Sequence, residues 1–345
     1  MDKIVNFRLL LLPFSWIYGS VTFIRNIFYN LGVFNSYTIP KKSICVGNLS
    51  VGGTGKTPHV KLITDHLIKS NIRASILSRG YGRSIKGLKE VYLNSTAAEV
   101  GDEPLFYKSA FRENAHVVVS EKRTIGVKYI LQQYPENDVI ILDDAFQHRA
   151  VKAGLNILIT DFNDLFCDDF LLPAGNLRES KQGIKRAQLI IVSKCPHNLT
   201  ELKSLEIKTK LNFDPNKIFF SEITYSEMKP FSKGIDIDIR NILLVTGIGN
   251  SSPLLSYLDS KYNVEHLKFK DHHVFTEKNI VEIHEKFDTF ANSNKIIVTT
   301  EKDYMRLKNI DLTHTIERPW FYQPIETEIK DKYKFNLCIN EYIEI

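Results

Sequence analysis

The sequence predicts an α/β fold in which a mostly parallel sheet carries helices on both faces and a smaller C-terminal α/β domain follows. Three observations lead there. From residue 43 onward, short apolar runs rich in β-branched residues alternate with helix-length segments, the arrangement of βαβ units and hence of a parallel sheet. A glycine-rich loop ending Gly55-Lys56-Thr57 joins the first run to the first helical stretch. A second series of strand-like runs starts at residue 241, after a β-rich interval. The 345 residues are 43% hydrophobic and 25% charged, which excludes long disorder and coiled coil and suits two domains.

Residues 1–40 read as an amphipathic helix at a membrane surface. Sixteen uncharged residues separate Arg8 from Arg25, fewer than the roughly 20 that a spanning helix needs. Pro13 sits near their start, and Trp16, Tyr18 and Tyr29 are residues that favour the water–lipid boundary. Packing on the core and a true span are the competing readings; a signal peptide lacks its small-residue cleavage site. Residues 1–42 hold five basic side chains against Asp2, while the rest of the chain balances 40 basic groups with 39 acidic ones. A nucleic-acid binder shows a broad basic excess, so no nucleic acid is expected as a partner. Cys45, Cys167, Cys195 and Cys338 are too scattered for a zinc site or a disulfide framework.

The strands expected in order are 43–46, 74–77, 116–119, 139–142, 156–160 and 189–192, then 241–246, 266–269 and 296–299. Most are continuous apolar runs, as strands buried on both faces read. Residues 217–225 and 320–325 are β-rich and are expected to pair as a two-stranded connector. The resulting division is 41–215 for the first domain, with the tail 326–345 returning to it. The linker takes 216–227 and 316–325, and the second domain takes 228–315. In an open parallel sheet, ligands lie beyond the carboxyl ends of the strands, so candidate chemistry is sought there.

After the first strand runs Ser50-Val51-Gly52-Gly53-Thr54-Gly55-Lys56-Thr57. Amides of such a loop, with the helix start behind it, bind phosphate oxygens. Lys56 is placed to reach the β- and γ-phosphates, and the Thr57 hydroxyl to hold Mg²⁺. A strict phosphate loop has Gly where this chain has Ser50, so Gly52 and Gly53 supply the flexibility. The apolar run ending in Asp143-Asp144 reads as the acidic partner that binds Mg²⁺ directly or through water. Together they describe a P-loop NTPase-type fold. Guanine recognition lacks its acidic residue, because Lys194 is followed by Cys195 and Pro196; ATP is favoured.

Other strand ends are polar. Arg79 and Arg83 follow the second strand and are spaced to clamp a phosphate. Asp102 and Glu103 open a helix, where carboxylates are either dipole partners or, for Asp102 beside ATP, a base for a substrate hydroxyl. Arg178 and Glu179 end a loop whose spacing alone assigns no role. Thr300-Glu301-Lys302-Asp303 reads as a capped helix start, and Gly247-Ile248-Gly249 as a turn.

Taken in order, VGNLSVGGTGKTP, LSRGYGR, GDEP, DDAFQHR, LLPAGNLRE and a late DHH resemble the tetraacyldisaccharide 4'-kinase family, the lipid A kinases of Gram-negative bacteria. The resemblance runs from about residue 44 to residue 303 and includes the amphipathic N-terminus. It implies transfer of the ATP γ-phosphate to the 4'-hydroxyl of a lipid A disaccharide 1-phosphate, at the cytoplasmic face of the inner membrane, with no obligate protein partner expected. It implies Asp102 as the base, supported by His272 of the second domain, and hence domain closure. Arg79 and Arg178 are candidates for anionic groups of the substrate, and Arg83, Gln147, His148 and Glu179 are further candidate substrate residues. Ala145 and Asn176 stand where the family often has Gly and Pro; both departures keep the charged residues. The rival reading is a peripheral membrane P-loop ATPase acting as a switch, but its signature lysine would fall where this chain has Val51. A P-loop metal-loading chaperone would want Cys/His clusters that are missing here.

Overall fold

The structure, a computed structural model, describes residues 7–232, 239–271, 273–290, 294–307 and 318–344. In chain order the elements are α1 (Leu12–Asn30), β1 (Lys42–Asn48), α2 (Lys56–Lys69), β2 (Ala74–Ser78), α3 (Asp102–Phe111), β3 (Ala115–Val119), α4 (Arg123–Gln133) and β4 (Val139–Asp143). There follow β5 (Leu155–Asp161), β6 (Leu189–Ser193), α5 (Glu201–Leu211), β7 (Ile218–Tyr225), β8 (Asn241–Thr246), α6 (Ser252–Asp259) and β9 (Asn263–Lys268). The chain ends with α7 (Glu277–Thr289), β10 (Lys295–Thr300), α8 (Glu301–Leu307), β11 (Trp320–Gln323), β12 (Ile325–Ile329) and α9 (Lys332–Ile343).

Among the described residues, a nine-stranded sheet runs β12-β7-β6-β5-β1-β4-β2-β3, with Lys89–Glu90 at its edge. Every pairing in it is parallel except the two outermost. Alternation along each central strand feeds two cores: Ile44, Val46, Val139 and Ile141 face one side, Cys45, Ile140 and Leu142 the other. The first core is closed by Val60, Ile63 and Leu67 of α2 and by Phe335 and Ile339 of α9. The second is closed by Val127 and Ile130 of α4 and by Ile207 and Leu211 of α5. Burial of each such side chain contributes about 1.5–3 kcal/mol. Helices therefore cover both faces, as a parallel sheet requires.

A five-stranded sheet has Lys229–Pro230 at its edge, then β11-β10-β8-β9. Leu243 and Val245 face one of its cores and Ile242 and Leu244 the other. Two strand expectations shift here. The strand expected at 266–269 starts at Asn263 and pairs residue for residue with β8; its polar Glu265 and His266 are half-buried at the sheet edge, so hydrophobicity alone hid its beginning. The expected partner of 217–225 is also displaced. Trp320–Gln323 joins β10 in the smaller sheet, with Trp320 fully buried, whereas Ser221–Tyr225 pairs antiparallel with Ile325–Ile329. Pro324 separates the two strands, and a residue without an N–H ends a ladder.

Helix α1 is inside out. Its buried residues are Ser15 and Thr22, while Phe14, Trp16, Ile17, Val21 and Phe23 are all exposed. Gly19 allows close contact: a Cβ there would lie 2.7 Å from Leu171 Cδ1. Among the described residues, no helix is long and apolar enough to cross a membrane.

Candidate active site

The site is built from the loops at the carboxyl ends of β1, β2 and β4. Gly55 adopts φ +85° as the left-handed cap of α2, a conformation that favours glycine. It lets the chain turn so that Lys56 and Thr57 begin the helix. The loop is pinned on both sides. The Ser193 hydroxyl donates to the Thr54 carbonyl at 2.8 Å, the Asn48 side-chain amide to Thr54 Oγ1 at 2.9 Å, and the Val51 amide to the Asn176 carbonyl at 2.8 Å. Ser50, the departure from the strict motif, is buried and bridges to Leu177. Behind the loop, burial holds His59 down at about 4. The neutral ring donates from Nδ1 to the Gly55 carbonyl and accepts the Ser221 hydroxyl at Nε2.

Four carboxylates converge on this loop, each with a different partner. Asp144, itself at φ +47°, lies 3.7 Å from Lys56 Nζ and accepts from Arg178 Nη1 at 3.1 Å with both oxygens. Asp143 is fully buried; Oδ2 accepts from the Ser78 hydroxyl at 2.9 Å, while Oδ1 has no hydrogen-bond partner. Burial, then the charges of Glu103 and Asp144, push Asp143 up to about 7. Glu103 Oε1 accepts from the Thr57 hydroxyl at 2.9 Å and from Lys302 Nζ at 2.8 Å. Burial opposes its charge, yet Lys302, Lys56 and Thr57 hold it well below the usual carboxylate range. Asp102 is buried, accepts the Glu103 amide at 3.0 Å and is ion-paired to Arg306. Gly101 at φ +94° makes room for this turn, since a Cβ would meet the Tyr81 carbonyl at 3.0 Å.

These groups fit Mg²⁺. Asp143 offers a buried carboxylate oxygen without a hydrogen-bond partner, the Thr57 hydroxyl oxygen lies at the start of α2, and among the described residues no three His, Cys, Asp or Glu side chains cage an ion. Mg²⁺ takes few protein ligands and keeps water and phosphate oxygens. Asp143 can be tested apart from activity. Its folded pKa lies above the unfolded value of about 3.9, so stability falls as pH rises from about 4 to 7 and stays lower above that. Without nucleotide and metal, Asp143→Asn is expected to be more stable than wild type at pH 8, by a few kcal/mol at most. The gap closes near pH 4. Denaturant unfolding at both pH values checks this, and a gap independent of pH would contradict it.

Two of the expected substrate residues have buried side chains. The Arg83 side chain is almost wholly buried and bonds to Glu121 and the Gly87 carbonyl, fixing its own turn, whereas Arg79 is exposed. Glu179 is fully buried and accepts from Arg186 at 2.7 Å, Asn26 at 3.0 Å and Gln147 at 3.2 Å. These three partners tie Glu179 to α1 and anchor the Arg178 loop. Burial and nearby Arg123 and Arg79 lower His148 to about 4, leaving it neutral at pH 7 beside Gln147. His272 lies outside the described residues.

Four residues went unassigned in the sequence. Arg123, fully buried, donates to the Asp143 carbonyl at 2.8 Å and the Ser120 carbonyl at 2.7 Å. Glu103 was visible only as the neighbour of Asp102. Lys302 and Arg306 come from the smaller sheet, and no local signal links them to Glu103 and Asp102.

A family model described as tetraacyldisaccharide-1-P 4'-kinase matches residues 7–344. The tetraacyldisaccharide 4'-kinase of Flavobacterium johnsoniae is 42% identical to the chain, over 98% of this chain and 97% of that protein. The tetraacyldisaccharide 4'-kinase of Bacteroides thetaiotaomicron is 40% identical, over 96% and 92%. In three dimensions the chain is similar to LpxK from Aquifex aeolicus in complex with ATP, with TM-score 0.76 and 28% identity over 98% of this chain and 99% of that one.

Proposed function

The chain belongs to the tetraacyldisaccharide-1-P 4'-kinase family, and from that premise we propose how its own side chains share the work. It is an ATP-dependent kinase of lipid A biosynthesis that uses Mg²⁺ and phosphorylates the 4'-hydroxyl of a tetraacyldisaccharide 1-phosphate. The family match favours this over an ATPase acting as a switch. The reaction joins the sugar oxygen to the γ-phosphorus, breaks the bond from that phosphorus to the β–γ bridging oxygen, and sends the hydroxyl proton to a base.

The observation that carries the site reading is the sorting of the carboxylates. Asp143 Oδ1 has no hydrogen-bond partner and Thr57 Oγ1, which donates to Glu103, keeps its lone pairs; these two oxygens would hold the metal, which offsets phosphate charge when bound. Asp144 stays occupied by Lys56 and Arg178 and aims both cations at the phosphate loop. Asp102, at the first turn of α3, accepts the proton, with His272 as its implied support. Gln147, His148 and Arg79 border the sugar side. Incubating the purified protein with labelled ATP and tetraacyldisaccharide 1-phosphate should give labelled lipid that depends on Mg²⁺; label appearing only in free phosphate would contradict the reading.

We also infer that α1 rests on the cytoplasmic face of the inner membrane, and that residues 228–315 act as a closing domain. The inverted burial of α1 supports the first. Its inward groups hold the Arg178 loop: the Ser15 hydroxyl donates to the Leu171 carbonyl at 2.9 Å, and Tyr18 to the Arg178 carbonyl at 2.8 Å. Its outward aromatics Phe14, Trp16 and Phe23 are exposed. Phe14→Ser combined with Trp16→Ser is expected to weaken flotation with anionic vesicles about tenfold or more. Turnover of detergent-solubilised substrate should stay near normal, because both side chains point away from the loop. Deleting residues 1–35 removes the inner contacts as well and should lower turnover even in detergent. Unchanged flotation of the double variant would assign membrane contact to another surface.

A further inference from the structure

Helix α8 reads from sequence as a capped helix start, and the cap is there. The Thr300 hydroxyl donates to Asp303 Oδ2 at 2.8 Å and accepts the Asp303 amide at 3.1 Å. The fully buried Asp303 also accepts the Gly247 amide and Arg306 Nη1, both at 2.8 Å. A cap this heavily anchored fixes the direction of the helix. Lys302 and Arg306, four residues apart, share one face of it. That face meets the first turn of α3, where Arg306 takes Asp102 and Lys302 takes Glu103.

The two cations are held differently. Arg306 is tied to Asp102, Asp303 and the Gly247 carbonyl among the described residues. Lys302 is only half-buried, and among the described residues Glu103 is its one hydrogen-bond partner. The oxygen it binds, Glu103 Oε1, is the same one that accepts the Thr57 hydroxyl. Lys302 thus stands at the edge of the space where Thr57 would face Mg²⁺ and the terminal phosphate. A lysine is a compact charge on a flexible four-carbon stem, so a small swing carries it from a carboxylate to a phosphate.

We propose that Lys302 is a catalytic residue delivered by the smaller sheet. It pairs with Glu103 and turns onto the γ-phosphoryl oxygens when Mg²⁺ and ATP bind. This rests on the kinase reading above. Lys302 exchanges no proton. As the sugar oxygen bonds to the γ-phosphorus and ADP departs, Asp102 takes the hydroxyl proton and Lys302 offsets charge on the non-bridging oxygens. Because it arrives from the other sheet, transfer occurs only when α8 lies against α3, which couples phosphoryl transfer to the contact between the two sheets.

The test is Lys302→Met, with Lys302→Gln as a second variant and Lys302→Arg as the charge-keeping control. Binding of Mg²⁺·ADP and of the Mg²⁺ complex of a non-hydrolysable ATP analogue is measured by calorimetry, beside kcat. Loss of Lys302 should lower kcat by about 10²-fold. It should also reduce the preference for the γ-phosphate-bearing nucleotide over ADP by about tenfold, because one γ-contact is lost while the competitor for Glu103 disappears for both nucleotides. Lys302→Arg should keep most of that preference. Equal shifts in both affinities, or a near-normal kcat in Lys302→Met or Lys302→Gln, would overturn the assignment. If wild type itself labels no lipid, the kinase reading fails; if wild type is active and the variants match it, only the role of Lys302 fails.

Discussion

Lys56→Ala is expected to lower phosphoryl transfer by roughly 10³-fold while the protein stays folded. The ammonium sits in the cleft with only 11% of its side chain exposed, 3.7 Å from Asp144. It is the cation at the start of α2, where the loop amides and the helix dipole already attract phosphate. Those amides remain in the variant, so ATP binding weakens but survives. The lost interaction is the one that grows as charge shifts toward the β–γ bridging oxygen. Folding is spared for two reasons: alanine suits a helical first turn, and Asp144 keeps Arg178 at 3.1 Å. Single-turnover transfer from labelled ATP, beside a thermal melt, measures both. Near wild-type turnover would mean that the phosphates lie elsewhere.

Asp102→Asn should cost about 10²–10⁴ in kcat, the usual range for a lost general base, with ATP affinity close to normal. Asparagine keeps the shape and one acceptor oxygen, so the bond from the Glu103 amide, 3.0 Å in the wild type, has a counterpart. What disappears is the charge that takes a proton and balances Arg306. Removing one partner of a buried pair costs about 3–5 kcal/mol, so some loss of stability should accompany the loss of rate. The two are separated by measuring kcat well below the melting temperature. A variant that turns over normally at saturating ATP, but binds ATP poorly, would move Asp102 into the nucleotide's surroundings. Pairing with a His272 variant adds a second check, because groups acting as one unit give losses that do not multiply.

Much of the fold and part of the site were legible in the sequence. The six central strands of the larger sheet read clearly because most are nearly continuous apolar runs with both faces buried, as in Val139–Asp143 and Leu189–Ser193. The edge strands read poorly. Asn263 and Glu326 are exposed, and only their partners across the ladder reveal them as strand residues. Within the site, Lys56, Thr57, Asp143 and Asp144 were legible as candidates because each sits at a fixed offset from a strand end. The burial of Arg83 was not legible, because an arginine in a glycine turn looks the same whether it faces solvent or Glu121. Glu103 was overlooked beside Asp102, although its oxygen links Thr57 to Lys302.

The sequence by itself determined the phosphate loop, the parallel order of βαβ units and the family. These are local properties: about ten consecutive residues set a loop's φ/ψ, and the period of apolar residues sets which faces are buried. Tertiary structure alone decided which cation each carboxylate meets. Lys302 and Glu103 are 199 residues apart, and Arg306 and Asp102 are 204 apart. Their pairing exists only because the β7–β12 ladder returns the chain between sheets and lays α8 on α3. It likewise decided that α1 turns Ser15 inward and Trp16 outward. The physical reason is the range of the forces. Backbone preferences act within a few residues, whereas the charge state of a buried carboxylate depends on burial and on whichever cation lies within about 4–6 Å, and those neighbours come from any part of the chain.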